Sequence, residues 1–342
     1  MHKRLVNHCT ISLSIKPDGP ILIKSGKEGA DPTKPDMEFV ETYYHGPKIE
    51  HRGKRSIYLP GSSLKGAIRA HAERIVRTIG ESSRQTGTNS QIWASDPLNM
   101  DDKQNNPNVY LEKWKDAEKK KKSEDRHPNP GAELYKQSCF TSQLFGNTAV
   151  ASRIRIEDAY PTDPDKIRLE ERNGVAIDRV FGSVAVGPFN YQVCTAGEFT
   201  TTIHLKNFTL AQLGLIGLVL RDLSEGWFGL GFAKSRGLGT VTVEYKHAVV
   251  QYPGCQLQND GQIKVFAQQK SWPGTALLGV SEFLTENPYG FPENDRDEQT
   301  PVAAEPMELG FGVQQTWTGS EQVKDLFRRA VQAWSQPLEV AS

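Results

Sequence analysis

Two basic side chains, Lys65 and Arg69, lie at the start of a helical pattern in the stretch LPGSSLKGAIR, residues 59–69. The free N–H groups and the dipole at a helix N-terminus favour an anion, so cations there oppose the usual charge preference. A bound phosphate would remove this conflict, because the cations and the N–H groups would then share it. Alternatively, both side chains extend past the edge of the core into water. The helix alone leaves both interpretations open.

A second group of polar side chains, Lys234, Ser235 and Arg236, lies in GLGFAKSRGLGTVTV, residues 229–243. Glycine permits unusual backbone dihedrals, so such a loop can turn its N–H groups toward phosphates while the cations supply charge. The loop lacks the G-x-x-x-x-G-K-[ST] pattern of nucleotide-binding P-loops, and it leads into a strand instead of opening a helix. A glycine-rich β turn with two incidental cations is the alternative.

The elements that must position these groups follow from periodicity. Alternating apolar and polar residues predict strands in HCTISLSIKP, SRIRIEDAYP and TVTVEYKHAVV, and a long hairpin plus a strand within residues 173–205. A second helix is predicted in LAQLGLIGLVLRDLSEGW, weakened or ended by its glycines. Ser62 or Ser63 can cap the first helix. The apolar stripe of that helix consists of Leu64, Ile68, Ala72, Ile75 and Ile79. This order suits an α+β fold with a ferredoxin-like βαββαβ core.

Composition sets further limits. The chain has 342 residues with 41 basic and 41 acidic side chains, so its net charge does not identify a nucleic-acid binder. Locally, residues 48–77 are strongly basic, which matters more than the sum. The four cysteines are far apart and lack zinc-ligand spacing, which argues against a zinc site or a disulfide framework. No apolar run is long enough to span a membrane, so we expect a soluble, cytoplasmic protein.

The chain divides into a core, residues 1–250, and an extension, residues 251–342. A charged insertion, residues 81–135, interrupts the core and predicts at most one charged helix because it contains few aliphatic residues. The extension holds a linker-like segment, residues 286–306, and ends in an amphipathic helix, EQVKDLFRRAVQAW. Segments of this kind favour an elaborated core over a minimal one.

Four motifs in order, LPGSSLKGAIR, LFGN with SRIRIEDA, GVAIDRV and GLGFAKSRGLGTV, resemble those of the RAMP superfamily. Within it, the chain is most similar to backbone subunits of type III CRISPR effector complexes of the Csm or Cmr kind. The resemblance covers residues 8–248 without the insertion. The insertion and the extension depart from the simple pattern and suggest a specialised subunit, such as one of the type III-D kind. Specialisation of this sort can include loss of cleavage.

The resemblance implies an RRM-like fold that binds guide crRNA without reading its sequence. It also implies partners: the target RNA, other RAMP backbone subunits and the large type III subunit. A hairpin thumb, residues 175–196, is expected to wedge the guide–target duplex, with Val180, Phe181 and Val184 as wedge residues. Alternatively, these residues only pack the hairpin. The family's RNA-binding positions carry over to Ser62, Ser63, Lys65, Arg69, Lys234, Ser235 and Arg236, and the basic stretch adds Arg55.

Catalytic members of the family cut target RNA with one aspartate in the loop before the first helix, in a metal-dependent reaction. Here GADPTKPDMEFV offers Asp31 and Asp36, and the match of PDMEFV favours Asp36. A loop carboxylate can help deprotonate the 2′-OH of RNA or hold a divalent cation, for which Mg²⁺ is expected. Aspartate in a proline-rich loop is also a common turn former. The resemblance therefore implies an endoribonuclease, with Asp31 as the second candidate.

Three other functions remain open at this stage. The first is a non-catalytic scaffold with the same grip on crRNA. The second is a crRNA-processing endoribonuclease that uses histidine, for which His45, His51 and His71 lie near the basic stretch, although surface histidines are the expected interpretation. In that class the glycine-rich loop lies near the chain end, whereas here a long segment follows it. The third is an RNA-binding module outside CRISPR biology.

Overall fold

A computed structural model describes residues 4–26, 35–80, 92–96, 106–266 and 268–334. The helices in this part of the chain are α1 (Gly61–Ile79), α2 (Pro107–Lys120), α3 (Pro130–Gln137), α4 (Phe140–Phe145), α5 (Leu210–Ser224) and α6 (Gly319–Gln332). The strands are β1 (His8–Pro17), β2 (Glu41–Tyr43), β3 (Arg55–Ile57), β4 (Ile154–Ile156), β5 (Tyr160–Pro161), β6 (Arg168–Ile177), β7 (Val184–Ala196), β8 (Phe199–Lys206), β9 (Val241–Tyr252), β10 (Cys255–Leu257), β11 (Gln262–Val265), β12 (Ser271–Pro273), β13 (Leu277–Leu278), β14 (Arg296–Asp297), β15 (Glu305–Pro306) and β16 (Val313–Thr318).

The main sheet has the order β15-β16-β9-β1-β8-β4, and β5 also pairs with β8. All of these pairings are antiparallel. Four central strands and two helices follow one another along the chain as β1, α1, β4, β8, α5 and β9. In the sheet these strands lie in the order β9-β1-β8-β4. The first and last strands of the core in the sequence, β1 and β9, are therefore neighbours in the sheet. This is the ferredoxin-like βαββαβ arrangement, and the predicted α+β fold class is confirmed.

Alternation along β1 explains where the core lies. Cys9, Ile11, Leu13 and Ile15 are buried against the helices, and the polar residues between them point to the other face. On α1, Leu64 and other members of the predicted stripe are buried as expected, but Ile79 is 37% exposed. The apolar face of α1 is therefore buried in the first turns of the helix, and the end of the helix lies outside the core.

The N-terminus of α1 is not capped by either predicted serine. Ser62 and Ser63 are exposed, and the backbone N–H of Gly61 donates instead to Asp158 Oδ1 at 2.7 Å. A Cβ at Gly61 would lie 2.3 Å from the carbonyl oxygen of Ile156, so only glycine allows the helix to start this close to the chain that follows β4. The capping carboxylate comes from a residue distant in sequence, which the local pattern could not indicate.

The insertion contains two helices, α2 and α3, where the sequence predicted at most one, and α3 continues past residue 135. The insertion also contributes to a second apolar cluster in which aromatic rings take the place of the missing aliphatic side chains. Its buried members are Trp93, Tyr110, Leu111, Ala132, Leu134, Tyr135, Cys139, Val150, Val280, Tyr289 and Phe291. Three of them come from the extension, so the insertion and the extension share one core.

The extension is also joined to the main sheet. Strand β16 pairs with β9 from Val313 opposite Tyr252 to Thr318 opposite His247. The predicted terminal helix forms as α6 and packs on α5, where two of the glycines expected to weaken α5 make room for it. A Cβ at Gly214 would lie 2.7 Å from the carbonyl oxygen of Ala330. These glycines therefore allow close helix packing.

Candidate nucleic-acid interface

Lys65 is held by protein contacts. Its ammonium donates to Ser152 Oγ at 2.8 Å and to the carbonyl oxygen of Ile154 at 3.3 Å, which fixes it beside the start of β4. Partial burial lowers the pKa of Lys65, and the neighbouring charge of Arg69 lowers it further. An ammonium has three N–H donors, and the described residues occupy two of them, which leaves a third for an outside ligand. The side chain is positioned by the protein and does not simply extend into water.

Arg69 makes more contacts with the protein than Lys65 does. Its Nε donates to Glu73 Oε1 at 2.9 Å, and its guanidinium also donates to the carbonyl oxygen of Gly146 at 3.0 Å. Glu73 is only 9% exposed, so this ion pair balances a carboxylate in the protein. Asp158, described above, already places a negative charge at the N-terminus of α1. The anion that favours this helix end is therefore supplied within the chain, and of the two cations Lys65 is better placed to meet an outside phosphate.

The glycine-rich loop, residues 229–239, has a different character. Lys234, Ser235 and Arg236 form one turn of 3₁₀ helix and are all exposed. The guanidinium of Arg236 lies 5.2 Å from the ring centroid of Phe232, and Lys24 Nζ lies 5.1 Å from the same ring. Cations at these distances interact favourably with an aromatic face. The loop therefore presents its charges to solution from an ordered aromatic base.

The glycines of this loop are explained by packing. Gly231 and Gly239 have positive φ values of 78° and 97°. A Cβ at Gly231 would lie 2.2 Å from the carbonyl oxygen of Leu22, and one at Gly239 would lie 2.4 Å from that of Leu230. The backbone N–H of Phe232 donates to Leu22 at 2.7 Å, and that of Gly239 donates to Pro20 at 2.9 Å. The glycines thus seat the loop on the segment that follows β1.

The two groups of cations lie against different strands. Lys65 contacts the start of β4, whereas the glycine-rich loop leads into β9. Strands β1 and β8 separate β4 from β9, which amounts to about 14 Å across the sheet at a spacing of about 4.8 Å per strand. The register places Ile154 level with Cys9 of β1 but Val241 level with Pro17, so the starts of β4 and β9 also lie about 27 Å apart along the strands at about 3.4 Å per residue. One ligand would have to be extended to contact both groups, as a nucleic-acid backbone is.

The β6–β7 hairpin has an apolar tip. Val180 and Phe181 are 82% and 83% exposed, and Val184 is 58% exposed, so these side chains do not pack the hairpin. Asp178 Oδ1 accepts the backbone N–H groups of Val180 at 2.7 Å and Phe181 at 2.8 Å. Those two hydrogen bonds hold the pKa of Asp178 below its ordinary value. The tip is therefore an ordered turn that presents apolar side chains to solvent, and their insertion between bases stays a prediction.

Asp36 lies at the base of the exposed half of the same hairpin, midway along the paired strands, where Asn190 lies opposite Asn173. Its Oδ2 accepts the backbone N–H of Asn190 at 2.8 Å, and the backbone of Met37 bonds to Asn190 and Gln192 of β7. The carboxylate is exposed, and Oδ1 makes no hydrogen bond within the part of the chain that the structure describes. Asp31, the second catalytic candidate, lies outside the described residues. The hairpin and the Asp36 segment therefore form one unit.

The described residues contain no group of three or more His, Cys, Asp or Glu side chains that could hold a metal ion. Mg²⁺ commonly binds through one or two carboxylates together with substrate phosphates and water. Asp36 offers one exposed carboxylate with an oxygen directed away from its Asn190 contact. It fits that mode of binding, in which RNA supplies the other ligands.

A family model described as the RAMP superfamily matches residues 15–242, which is more than half of the chain. The chain belongs to the RAMP superfamily. No curated protein sequence matched it. The RAMP match contains Asp36, α1, the β6–β7 hairpin and the glycine-rich loop, and membership supports a CRISPR-associated, RNA-binding role.

Histidines of the RAMP region are engaged with neighbouring side chains. His51 Nε2 lies 3.2 Å from Asp165 Oδ2. His71 is 7% exposed and its Nε2 lies 2.7 Å from Asp222 Oδ2, so the expectation that it is a surface residue is wrong. The reason is a fully buried carboxylate on α5, whose position opposite α1 cannot be seen in sequence. A histidine-based RNA-processing site gains no support from this arrangement.

Two further expectations concern the surface of the RAMP region and the membrane. Arg55 pairs with Glu41 across the β2–β3 hairpin, with Nη2 3.1 Å from Oε2. The Arg55 side chain is still 66% exposed, so its charge remains accessible. Among the described residues, no helix combines the length and the apolar character that crossing a bilayer requires.

Proposed function

We propose that this chain is a backbone subunit of a type III CRISPR ribonucleoprotein that binds guide crRNA independently of sequence. One observation carries the proposal: the Asp36 segment is bonded to the base of a hairpin whose apolar tip is exposed. A guide–target duplex lying along the hairpin would meet wedge residues at the tip and a carboxylate at the base. Other RAMP subunits, the large type III subunit and the target RNA are the partners of this proposal.

The proposed grip on RNA is electrostatic. Lys234 and Arg236 are exposed, and Lys65 keeps one donor, so each can bond to a phosphate oxygen. The exposed Ser62 and Ser235 add hydroxyl donors. Contacts to the phosphates and sugars position a strand but carry no sequence information. A subunit that must accept any guide requires this kind of contact.

The proposed activity is cleavage of the bound target RNA. The 2′-oxygen attacks the adjacent phosphorus, the bond to the 5′-oxygen breaks, and the 5′-oxygen takes a proton from water. Asp36 accepts the 2′-OH proton, leaving a 2′,3′-cyclic phosphate and a free 5′-OH. A divalent cation, expected to be Mg²⁺, would be held by Asp36 and the RNA and would neutralise charge on the phosphate. Asp36 contacts Asn190, about 20 Å along β7 from the tip, so insertion of Phe181 would fix the register of the duplex on the hairpin and thereby position the attacked phosphate at Asp36.

A non-catalytic scaffold is the second candidate, and one contact favours it. Asp36 already accepts a hydrogen bond from Asn190, so its carboxylate has a structural task at the base of the hairpin. In that case the chain would hold crRNA with the same residues and leave the target intact. The two candidates differ only in whether Asp36 acts on the RNA.

Purification of the chain from cells that express its CRISPR locus tests the proposal. We expect a uniform small RNA that carries repeat sequence, together with other RAMP subunits. A mixture of cellular RNAs without repeat sequence would instead indicate an RNA-binding module outside CRISPR biology. Recovery of the chain with neither RNA nor RAMP partners would overturn the proposal.

A further inference from the structure

Trp227 is an exposed indole beside the glycine-rich loop. Its side chain is 65% exposed, and it lies between the end of α5 and the glycine-rich loop. Single exposed apolar side chains are common and need no explanation by themselves. What distinguishes Trp227 is that a chain of contacts orders it and that cations lie nearby.

A buried pair of side chains supports the indole. Asp222 is 1% exposed, and its Oδ2 lies 2.7 Å from Nε2 of the buried His71. Asp222 Oδ1 accepts from Arg221 twice, from Nε at 2.9 Å and from Nη2 at 2.7 Å. The carboxylate therefore fixes the guanidinium in one orientation, since a two-donor contact restricts rotation.

The fixed guanidinium in turn lies next to the ring. Arg221 Cζ is 5.7 Å from the ring centroid of Trp227, and the Arg221 side chain is 51% exposed. The backbone N–H of Trp227 donates to the carbonyl oxygen of Asp222 at 2.9 Å. The next residue, Phe228, stacks on His71 with ring centroids 4.3 Å apart. Both sides of Trp227 in the chain are therefore anchored, while its own ring stays in solvent.

This aromatic position is continuous with the glycine-rich loop. Residues 226–230 run beside residues 238–240, because Leu230 donates to Gly239 at 2.9 Å and a Cβ at Gly226 would lie 3.6 Å from Thr240 Cγ2. The exposed indole and the exposed Arg221 therefore lie beside the backbone of the glycine-rich loop, which carries its own cations at residues 234–236. Aromatic rings interleaved with cations are the usual composition of single-strand binding surfaces.

We propose that Trp227 is a stacking platform for one base of a single-stranded RNA and that Arg221 binds an adjacent phosphate. This inference rests on the proposed RNA-binding function and adds a contact to a base. An indole face stacks on any base, so the contact is compatible with guides of any sequence. His71 and Asp222 are positioning residues, since they act on the RNA only through Arg221 and the Trp227 backbone. A protein partner would require a contiguous apolar patch, whereas Trp227 presents one exposed ring beside a guanidinium.

The test compares two ligands of equal length: a single-stranded RNA of mixed sequence and the same ribose-phosphate chain without bases. For Trp227→Ala we expect affinity for the RNA to fall about 5- to 100-fold and affinity for the abasic chain to stay unchanged. Trp227→Phe should retain most of the RNA affinity because it keeps an aromatic face. Phe311→Ala is the matched control, since Phe311 is 64% exposed but lies in the extension, and it should bind both ligands like the wild type.

Each outcome decides a different claim. Equal RNA binding by wild type and Trp227→Ala would overturn the platform and leave the proposed function standing. Equal losses on both ligands would also overturn it, because they would show damage to phosphate binding. A wild-type protein that binds neither ligand would contradict the proposed function itself. Melting temperatures of all variants should match that of the wild type, since the substituted rings are exposed.

Discussion

The carboxylate of Asp36 accepts the backbone N–H of Asn190 at 2.8 Å, which ties the segment before α1 to the base of the β6–β7 hairpin. The two residues are far apart in sequence, and each belongs to a different proposed role, cleavage for Asp36 and duplex distortion for the hairpin. Their contact means that a movement of the hairpin would also move the carboxylate. Cleavage and base displacement are therefore expected to depend on each other.

Substitution of Asp36→Asn separates the nuclease from the scaffold. The amide oxygen can still accept from Asn190, so the hairpin should keep its position while the base is lost. In the assembled complex we expect cleavage of a complementary RNA to fall about 100-fold or more with target binding unchanged. Mapping the cut positions on labelled RNA measures this.

Asp260→Asn is the matched control for that substitution. Asp260 is also an exposed aspartate whose Oδ1 accepts a backbone N–H, from Gln262 at 3.0 Å, and it lies outside the RAMP match. The Asp260→Asn variant should cleave the complementary RNA at the same positions and to the same extent as the wild type. An unchanged pattern of cuts in Asp36→Asn would show that the chain is a scaffold.

Phe181→Ser tests the tip of the hairpin. Because Phe181 is 83% exposed, its loss should change the free energy of unfolding by no more than about 0.5 kcal/mol. We expect weaker distortion of the guide–target duplex, detected by lower reactivity of target bases toward a probe of unstacked bases. Val186→Ser, on the same hairpin and 64% exposed, serves as the control. Identical base reactivity in wild type and Phe181→Ser would show that the tip does not wedge the duplex.

Arg69→Ala tests whether Arg69 is mainly structural. Within the described part of the chain, its removal leaves Glu73, 9% exposed, with only the longer contact to Arg77 at 3.4 Å. We expect a loss of about 1–3 kcal/mol in the free energy of unfolding, because a largely buried carboxylate loses its nearest partner. Urea unfolding of Arg69→Ala, Glu73→Ala and the double variant gives the coupling between the two side chains. Additive losses of unfolding free energy in the double variant would contradict the ion pair. An Arg69→Ala variant with unchanged stability but lost RNA binding would show that Arg69 is a phosphate ligand.

Asp295 predicts an unusual pH dependence of stability. Burial raises the pKa of Asp295 to about 7, although backbone hydrogen bonds from Leu210 and Ser281 act in the opposite direction. The folded protein thus holds a proton that the unfolded chain has lost above pH 4 or so. The contribution of protonated Asp295 to the free energy of unfolding is therefore fully present below about pH 4. As the pH rises to about 7, the free energy of unfolding falls by an amount on the order of 4 kcal/mol.

Asp295→Asn isolates that contribution. The amide cannot ionise, and its oxygen can still accept the backbone N–H of Leu210, which donates to Asp295 Oδ1 at 2.8 Å in the wild type. The difference in unfolding free energy between variant and wild type should therefore grow in favour of the variant from pH 5 to pH 7. Chemical denaturation at several pH values measures this difference. A difference that does not change with pH would contradict the raised pKa.

Local patterns predicted much of the fold because alternation and turn chemistry act over short distances. The buried residues of β1, the order of elements in the core and the exposed loop around Lys234 all follow from such patterns. Contacts between distant residues did not. The glycines of α5 signal a weak helix in sequence, and only α6, more than a hundred residues later, shows that Gly214 admits a close neighbour. Likewise, Tyr289 from the extension completes the core of the insertion.

Local sequence patterns predict the candidate site to the same extent. The unusual place of Lys65 on a helix marks it in the sequence, but the residues that hold it, Ser152 and Ile154, come from a distant part of the chain. The cap from Asp158 and the support of Trp227 by the His71–Asp222 pair depend on tertiary packing that no local spacing encodes. Residue type and position predicted which side chains are charged and exposed, whereas their partners required the structure.

Equilibrium binding of RNAs with unrelated sequences, at several salt concentrations, tests the central claim most directly. We expect equal affinities for all sequences, and an affinity that falls steeply as the salt concentration rises, because phosphate contacts release counterions. The slope of log affinity against log salt concentration should become less steep, by the equivalent of about two phosphate contacts, when Lys234 and Arg236 are both changed to alanine. A strong sequence preference, or a salt slope unaffected by that double substitution, would contradict a sequence-independent RNA grip by the glycine-rich loop.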